Sequence, residues 1–175
     1  MFLFRKNNVK KTLNLLQNDG MALKNLDDSF KDNDKIVLTA VSNNGLALEF
    51  ASERLKDDYN IVLTAVSNNG LALKFASFNL KRKISICLEA VRNNGLALEF
   101  ADKYIQNNLE VVLNAVKNNG MALMFASKRL KGNLEVINTA FCNNPDSFDF
   151  VYKDMHYELE KNENAKTLIL IKKRD

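Results

Sequence analysis

Glycine stands at Gly20, Gly45, Gly70, Gly95 and Gly120, and Pro145 takes the next place, so one position recurs every 25 residues without a slip. The same phrase surrounds it: LTAVSNNGLALEFAS at 38–52, LTAVSNNGLALKFAS at 63–77, LEAVRNNGLALEFAD at 88–102 and LNAVKNNGMALMFAS at 113–127. A unit this short cannot bury its own apolar face. A fixed period of this length therefore reads as an array whose copies are stable only because each lies against the next.

The copy around Gly120 shows what each unit should be. Asn108 is placed to cap a helix by accepting from an unpaired first-turn amide. The equivalent residues are Asn33, Asp58, Lys83 and Asn133, so one copy lacks a capping side chain. The helix then runs through LEVVLNAVKN, with apolar residues at 109, 111, 112, 113, 115 and 116 and with 110, 114 and 117 as its polar stripe. Asn118, Asn119 and Gly120 should end it, the glycine in a left-handed conformation. A second helix is expected over MALMFASKRL, with Leu123, Phe125, Ala126 and Leu130 inward and 124, 127, 128 and 131 outward. Asn-Gly also favours β-hairpins. The flanking residues do not alternate with period two, and LALEFASERL is a good helix former, so helices are the expectation.

The fold class that follows is all-α, an α-solenoid of about six 25-residue helical hairpins with degenerate caps. The chain divides into an N-terminal cap and worn repeat over 1–33, four regular repeats over 34–133, and a degenerate repeat with a C-terminal cap over 134–175. The first copy has Asp19 before its glycine, and the last replaces glycine with Pro145. The tail MHYELEKNENAKTLILIKKRD reads as a cap over the last apolar layer.

Charge and cysteine narrow the partners. The 25 basic residues exceed the 21 acidic ones by only four, partly through the two ends. A dedicated nucleic-acid domain concentrates its charge on one face. Cys87 occupies a place held elsewhere by Val37, Val62, Val112 and Ile137, and reads as core. Cys142 aligns with surface positions, so neither a disulfide framework nor a metal site is expected. The N-terminal MFLFRKNNVKK is too short in apolar residues for a secretory signal, and no segment approaches the roughly 20 apolar residues of a membrane span. The expected location is cytoplasmic, with translocation into another cell left open.

The phrase V-x-x-A-V-x-x-N-G-x-A-L-x-x-A-S-x-x-L is carried by Val112, Ala115, Val116, Asn119, Gly120, Ala122, Leu123, Ala126, Ser127 and Leu130 and by their counterparts in earlier copies. It resembles a helical repeat family of unknown function found in effector-like bacterial, protist and giant-virus proteins. The resemblance covers about residues 12 to 152. It implies the repeat architecture and brings no activity, cofactor or catalytic residue.

Catalytic chemistry finds no foothold in the residues. His156 is the one histidine and lies in the tail, so neither a nucleophile–base pair nor a zinc-type ligand set can form in the repeats. No phosphate-binding or dinucleotide glycine motif occurs. The column Asn43, Asn68, Asn93, Asn118 and Asn143 could read a periodic ligand. Its uniformity favours a structural role instead, since a discriminating reader varies from copy to copy. Recognition is left to the variable outward positions. Among these, Phe78 replaces Glu53, Lys103 and Lys128, and Lys81, Arg82 and Lys83 form a basic joint. Lys74, Phe78, Lys81, Arg82, Lys83 and Arg92 are the candidate partner-binding residues. The expected function is non-enzymatic binding of a partner protein, without cofactor or metal. The alternatives are a nucleic-acid-binding helical repeat and a translocated effector-type regulator.

Overall fold

The computed structural model describes residues 2–151, with side chains from Val9 onward. It is an all-α solenoid whose six described copies stack in chain order. The α-helices α1 (Phe2–Asn18), α3 (Asp34–Asn43), α5 (Tyr59–Asn68), α6 (Ile84–Asn93), α7 (Leu109–Asn118) and α9 (Leu134–Asn143) pack one on the next as a first layer. Six-residue 3₁₀ segments form the second layer: Gly20–Asn25, Gly45–Phe50, Gly70–Phe75, Gly95–Phe100, Gly120–Phe125 and Pro145–Phe150. Short joints carry the chain onward, as α2 (Asp28–Lys31), α4 (Glu53–Lys56), α8 (Lys128–Lys131) and two 3₁₀ turns, Leu80–Arg82 and Ile105–Asn107. No described helix is long and apolar enough to cross a membrane. The tail cap and His156 lie outside the described residues.

Between the layers the repeated apolar residues are out of water. Ile86, Cys87, Ala90, Val91, Ala97 and Leu98 of one unit are fully buried, and their equivalents in the neighbouring units are buried as well. Helices of ten residues are marginal alone, so this shared burial is what keeps them formed.

The second half of each unit is not the continuous helix that its composition suggests. It is broken at an Ala-Ser pair in extended conformation: Ala51 has φ −68°, ψ 156° and Ser52 has φ −61°, ψ 156°. The break has two causes. The Ser52 amide turns outward to donate to the Lys31 carbonyl of the preceding unit at 2.9 Å. Its hydroxyl meanwhile accepts from Leu55 N, capping a new helical turn. Ser77 and Ser127 repeat both bonds.

The glycines are not left-handed either, for no described residue has a positive φ. The preceding asparagine is extended, near φ −146° and ψ 110° at Asn94, and its side chain accepts from the amide two residues on. Glycine is required by proximity. A Cβ on Gly45, Gly70 or Gly95 would lie 2.2–2.4 Å from the carbonyl oxygen of Ala65, Ala90 or Ala115 in the next unit. Pro145 holds this place in the last described unit, where the first residue of a helical turn accepts proline.

The uniform asparagine column closes the same seam. Asn93 Oδ1 accepts from Gly70 N at 2.7 Å, and its Nδ2 donates to the Ser67 carbonyl at 2.9 Å. Asn43, Asn68, Asn118 and Asn143 make the equivalent pair of bonds to their preceding units. Each thereby satisfies an otherwise unpaired carbonyl at a helix end.

Two substitutions test this seam by urea denaturation. Gly70→Ala should lower stability by about 3 kcal/mol or more, since backbone rather than a flexible side chain blocks the added methyl. A loss below about 1 kcal/mol would sink the account. Asn93→Ala should lose about 1–3 kcal/mol by stranding two backbone groups. Asn93→Asp should also destabilise, because it keeps the acceptor but loses the donor and sets a negative charge at a helix C-terminus.

Candidate interaction site

The joint of the third unit begins where Ser77 N donates to the Lys56 carbonyl at 2.9 Å. Leu80 is the buried anchor, and Leu80 N donates to the Ser77 hydroxyl. With both ends of the turn held, Phe78 points away from the core and is 64% exposed, more than any other large apolar side chain described. Its ring carries the Arg82 guanidinium 5.4 Å from the centroid, a cation–π contact. Arg82 Nε also lies 3.7 Å from Asp102 in the next unit.

Lys83 follows, exposed, at the residue before α6. In the equivalent place Asn33, Asp58, Asn108 and Asn133 each accept from an amide of the following helix. Lys83 makes no such bond and sets a cation at the positive end of the helix dipole. Losing a cap of this kind costs about 1 kcal/mol.

The six sequence candidates do not all converge. Phe78, Arg82 and Lys83 share the joint. Lys81 is committed elsewhere: it is half-buried, and its ammonium donates to the Lys74 carbonyl at 2.7 Å, closing the end of a 3₁₀ segment. Gln106 does the same for the Leu98 and Glu99 carbonyls one unit on. Burial pushes the Lys81 ammonium below the ordinary lysine range. Lys74 is exposed, with its ammonium 5.7 Å over the ring of its neighbour Phe75. Arg92 sits in the last turn of α6, nine residues from Lys83 and so roughly 13 Å along the helix, where its Nε donates to Asn114 Oδ1 at 3.3 Å.

Tyr104, which the sequence reading passed over, is 60% exposed. Its place is held by Arg54 and Arg129 in other units, and those arginines reach back to Asp32 and Asn107 in the joints before them. The residue equivalent to Asp32 and Asn107 in the third unit is Arg82. Tyr104 thus stands one unit after Arg82, in the column from which Arg54 and Arg129 reach back to the preceding joint. The available signal was a single aromatic in a column of arginine and asparagine. A second correction concerns the first helix of each unit, whose outer side is less polar than its spacing implies. Leu38, Tyr59, Leu109 and Leu134 are exposed rather than covered.

Elsewhere the described surface offers little for chemistry. A wide-open groove of about 440 Å³ between α7 and α9 is lined by Lys117, Asn138, Thr139, Cys142 and Asn143, and a similar one lies between α1 and α3. No group of three His, Cys, Asp or Glu side chains converges among the described residues. Both described cysteines are free, Cys87 buried and Cys142 exposed.

Burial, with Asp102 adding to it, pushes the Cys87 thiol from 9.0 up to about 12. The folded state thus favours the protonated thiol. That preference stabilises the fold fully below pH 9.0 and is lost as pH rises towards about 12. In that window the Cys87 contribution should fall by about 1.4 kcal/mol per pH unit. Cys87→Val should remove this slope while wild type retains it, as read from denaturation at several alkaline pH values. Equal slopes in the two proteins would contradict a buried thiol.

A family model described as "Domain of unknown function (DUF4116)" matches the chain at residues 12–56, 35–81, 58–106, 83–131 and 108–156. Each match spans nearly two of the structural units, and together they tile the array. No curated protein and no solved structure matches the chain.

Proposed function

We propose that this chain, which belongs to the DUF4116 family of domains of unknown function, is a non-enzymatic interaction module. It binds a partner protein through the outward, variable side chains of its joints. Phe78, Arg82, Lys83 and Tyr104 form the centre of the contact and Lys74 its edge. The observation that carries this reading is Lys83, which gives up a helix cap kept by its equivalents, in the same joint as the most exposed aromatic ring described. An exposed aromatic with an arginine stacked on it is the kind of residue pair that dominates binding energy at interfaces. The repeated residues meanwhile have structural duties that leave nothing over for catalysis. Free thiols, one of them exposed, suit a reducing cytoplasm.

Nucleic acid is disfavoured by the signs along the surface. A backbone-tracking groove wants a continuous basic stripe. Here Asp102 pairs with Arg82, and acidic joints occupy the second unit at Asp57 and Asp58.

The test is cross-linked capture of a partner from cells that make the protein, repeated with variants. Phe78→Ala and Arg82→Gln should each reduce recovery about tenfold or more while shifting the melting temperature by no more than about 2 °C. Arg92→Glu should leave recovery unchanged. Equal recovery with all three variants would remove the site. Tight retention on single-stranded RNA that falls steeply with salt would replace the protein-partner reading.

A further inference from the structure

The first residue after the Ala-Ser break, or its equivalent, runs Asp28, Glu53, Phe78, Lys103, Lys128 through five successive units. All five side chains are exposed. They form a row because the joints stack in register. The residue just before four of them, Ser52, Ser77, Asp102 or Ser127, donates its amide to the carbonyl of Lys31, Lys56, Lys81 or Gln106 in the unit before, at 2.9–3.1 Å. With neighbouring helices 8–10 Å apart, the row is roughly 35 Å long. Its order is acid, acid, aromatic, base, base. Turned end for end, that order is its own complement.

We propose that this ridge is a self-association surface on which a second copy of the chain docks antiparallel. Phe78 lies on the two-fold axis against its own counterpart. Glu53 faces Lys103 of the second copy, and Asp28 faces Lys128. The inference rests on the interaction reading above and names one partner for the same ridge. A two-fold contact requires a patch that complements itself. The antiparallel arrangement satisfies this with four ion pairs around one aromatic pair, whereas the parallel arrangement sets acid on acid and base on base. An acidic protein or a nucleic acid would use only Lys103 and Lys128 and would be repelled by Asp28 and Glu53. A partner with the reverse order uses all five positions, and this chain carries that order.

The groups are available for such a contact. Glu53 bonds Lys56 of its own helix at 2.8 Å, yet its side chain remains 89% exposed. Near the axis Arg82 and Lys83 meet their counterparts. Arg82 is already stacked on Phe78 and paired with Asp102, which softens that repulsion without removing it. The dimer should therefore be weak and sensitive to salt.

Sedimentation equilibrium of the full chain, from about 10 to about 500 μM, tests this directly. Wild type should show a monomer–dimer equilibrium that moves towards monomer at about 0.5 M salt, where the Debye length is only ~4 Å. Glu53→Lys and Lys103→Glu should each weaken dimerisation about tenfold, because symmetry breaks every altered pair twice. The double variant E53K/K103E restores the pairs with signs exchanged and should recover wild-type affinity to within about threefold. Phe78→Ala should weaken the dimer at both salt concentrations. A wild type that stays monomeric throughout, or a double variant no better than its parents, overturns the proposal. If wild type is monomeric while Phe78→Ala still loses a captured partner protein, the self-association falls and the interaction module stands.

Discussion

Every inter-unit contact depends on how closely one 3₁₀ segment can approach the next α-helix. At the seam the glycine α-carbon and an alanine carbonyl lie so near that there is no room for even a single methyl between them. Asparagine then bridges it, accepting from the glycine and donating to the end of the preceding helix. The absence of a side chain lets the layers close, and the amide holds them in register. From that register follow the buried columns of Ile, Val, Ala and Leu, and the joint-to-joint backbone bonds on the other side of the unit. The period of 25 is thus set by a backbone contact, and apolar side chains fill the space it defines.

That division of labour explains where variation collects. The seam uses glycine, asparagine and alanine; the joint uses a serine or aspartate, one apolar anchor, and backbone groups. Other joint positions repeat a bond while changing residue type: Asp32, Asp57 and Asn107 accept from the serine of the next unit, and Arg82 pairs there with Asp102 instead. The positions with no repeated bond, such as Phe78 and its equivalents, differ most in sign and type. Phe78, Arg82 and Lys83 change a joint that is acidic in the second unit into one that is basic and aromatic in the third. At Lys83 the change also removes a helix cap. The same freedom lets a graded order of charge build up along the ridge without disturbing the stack.

Much of this could be read from residue spacing, and the misses share one physical cause. Helical periodicity found α7, and the aspartate and asparagine caps were visible because a cap acts within three residues. The uniform Asn93 column was rightly read as structural, since a varying ligand needs varying readers. By contrast, LALEFASERL has every local preference for one helix, and the structure breaks it at Ala51 and Ser52 because a carbonyl twenty-one residues back takes the serine amide. Lys81 looks like a free surface cation in a run of three, yet folding turns its ammonium onto the Lys74 carbonyl. Arg92 looked near enough to join Lys83 until α6 set them at opposite ends.

By itself, the order of residues determined that the chain is a helical array, the 25-residue period of its units, most of the side chains that face the core and which joint departs from the others. Those properties follow from local preference and exact repetition, which any stretch of chain displays unfolded or folded. Only the tertiary structure decided why glycine is there, where the second helix stops, and which of the candidate cations still face water. Each depends on a backbone or side-chain group brought in from another part of the fold, and spacing along the chain does not reveal that group's position until the units have stacked.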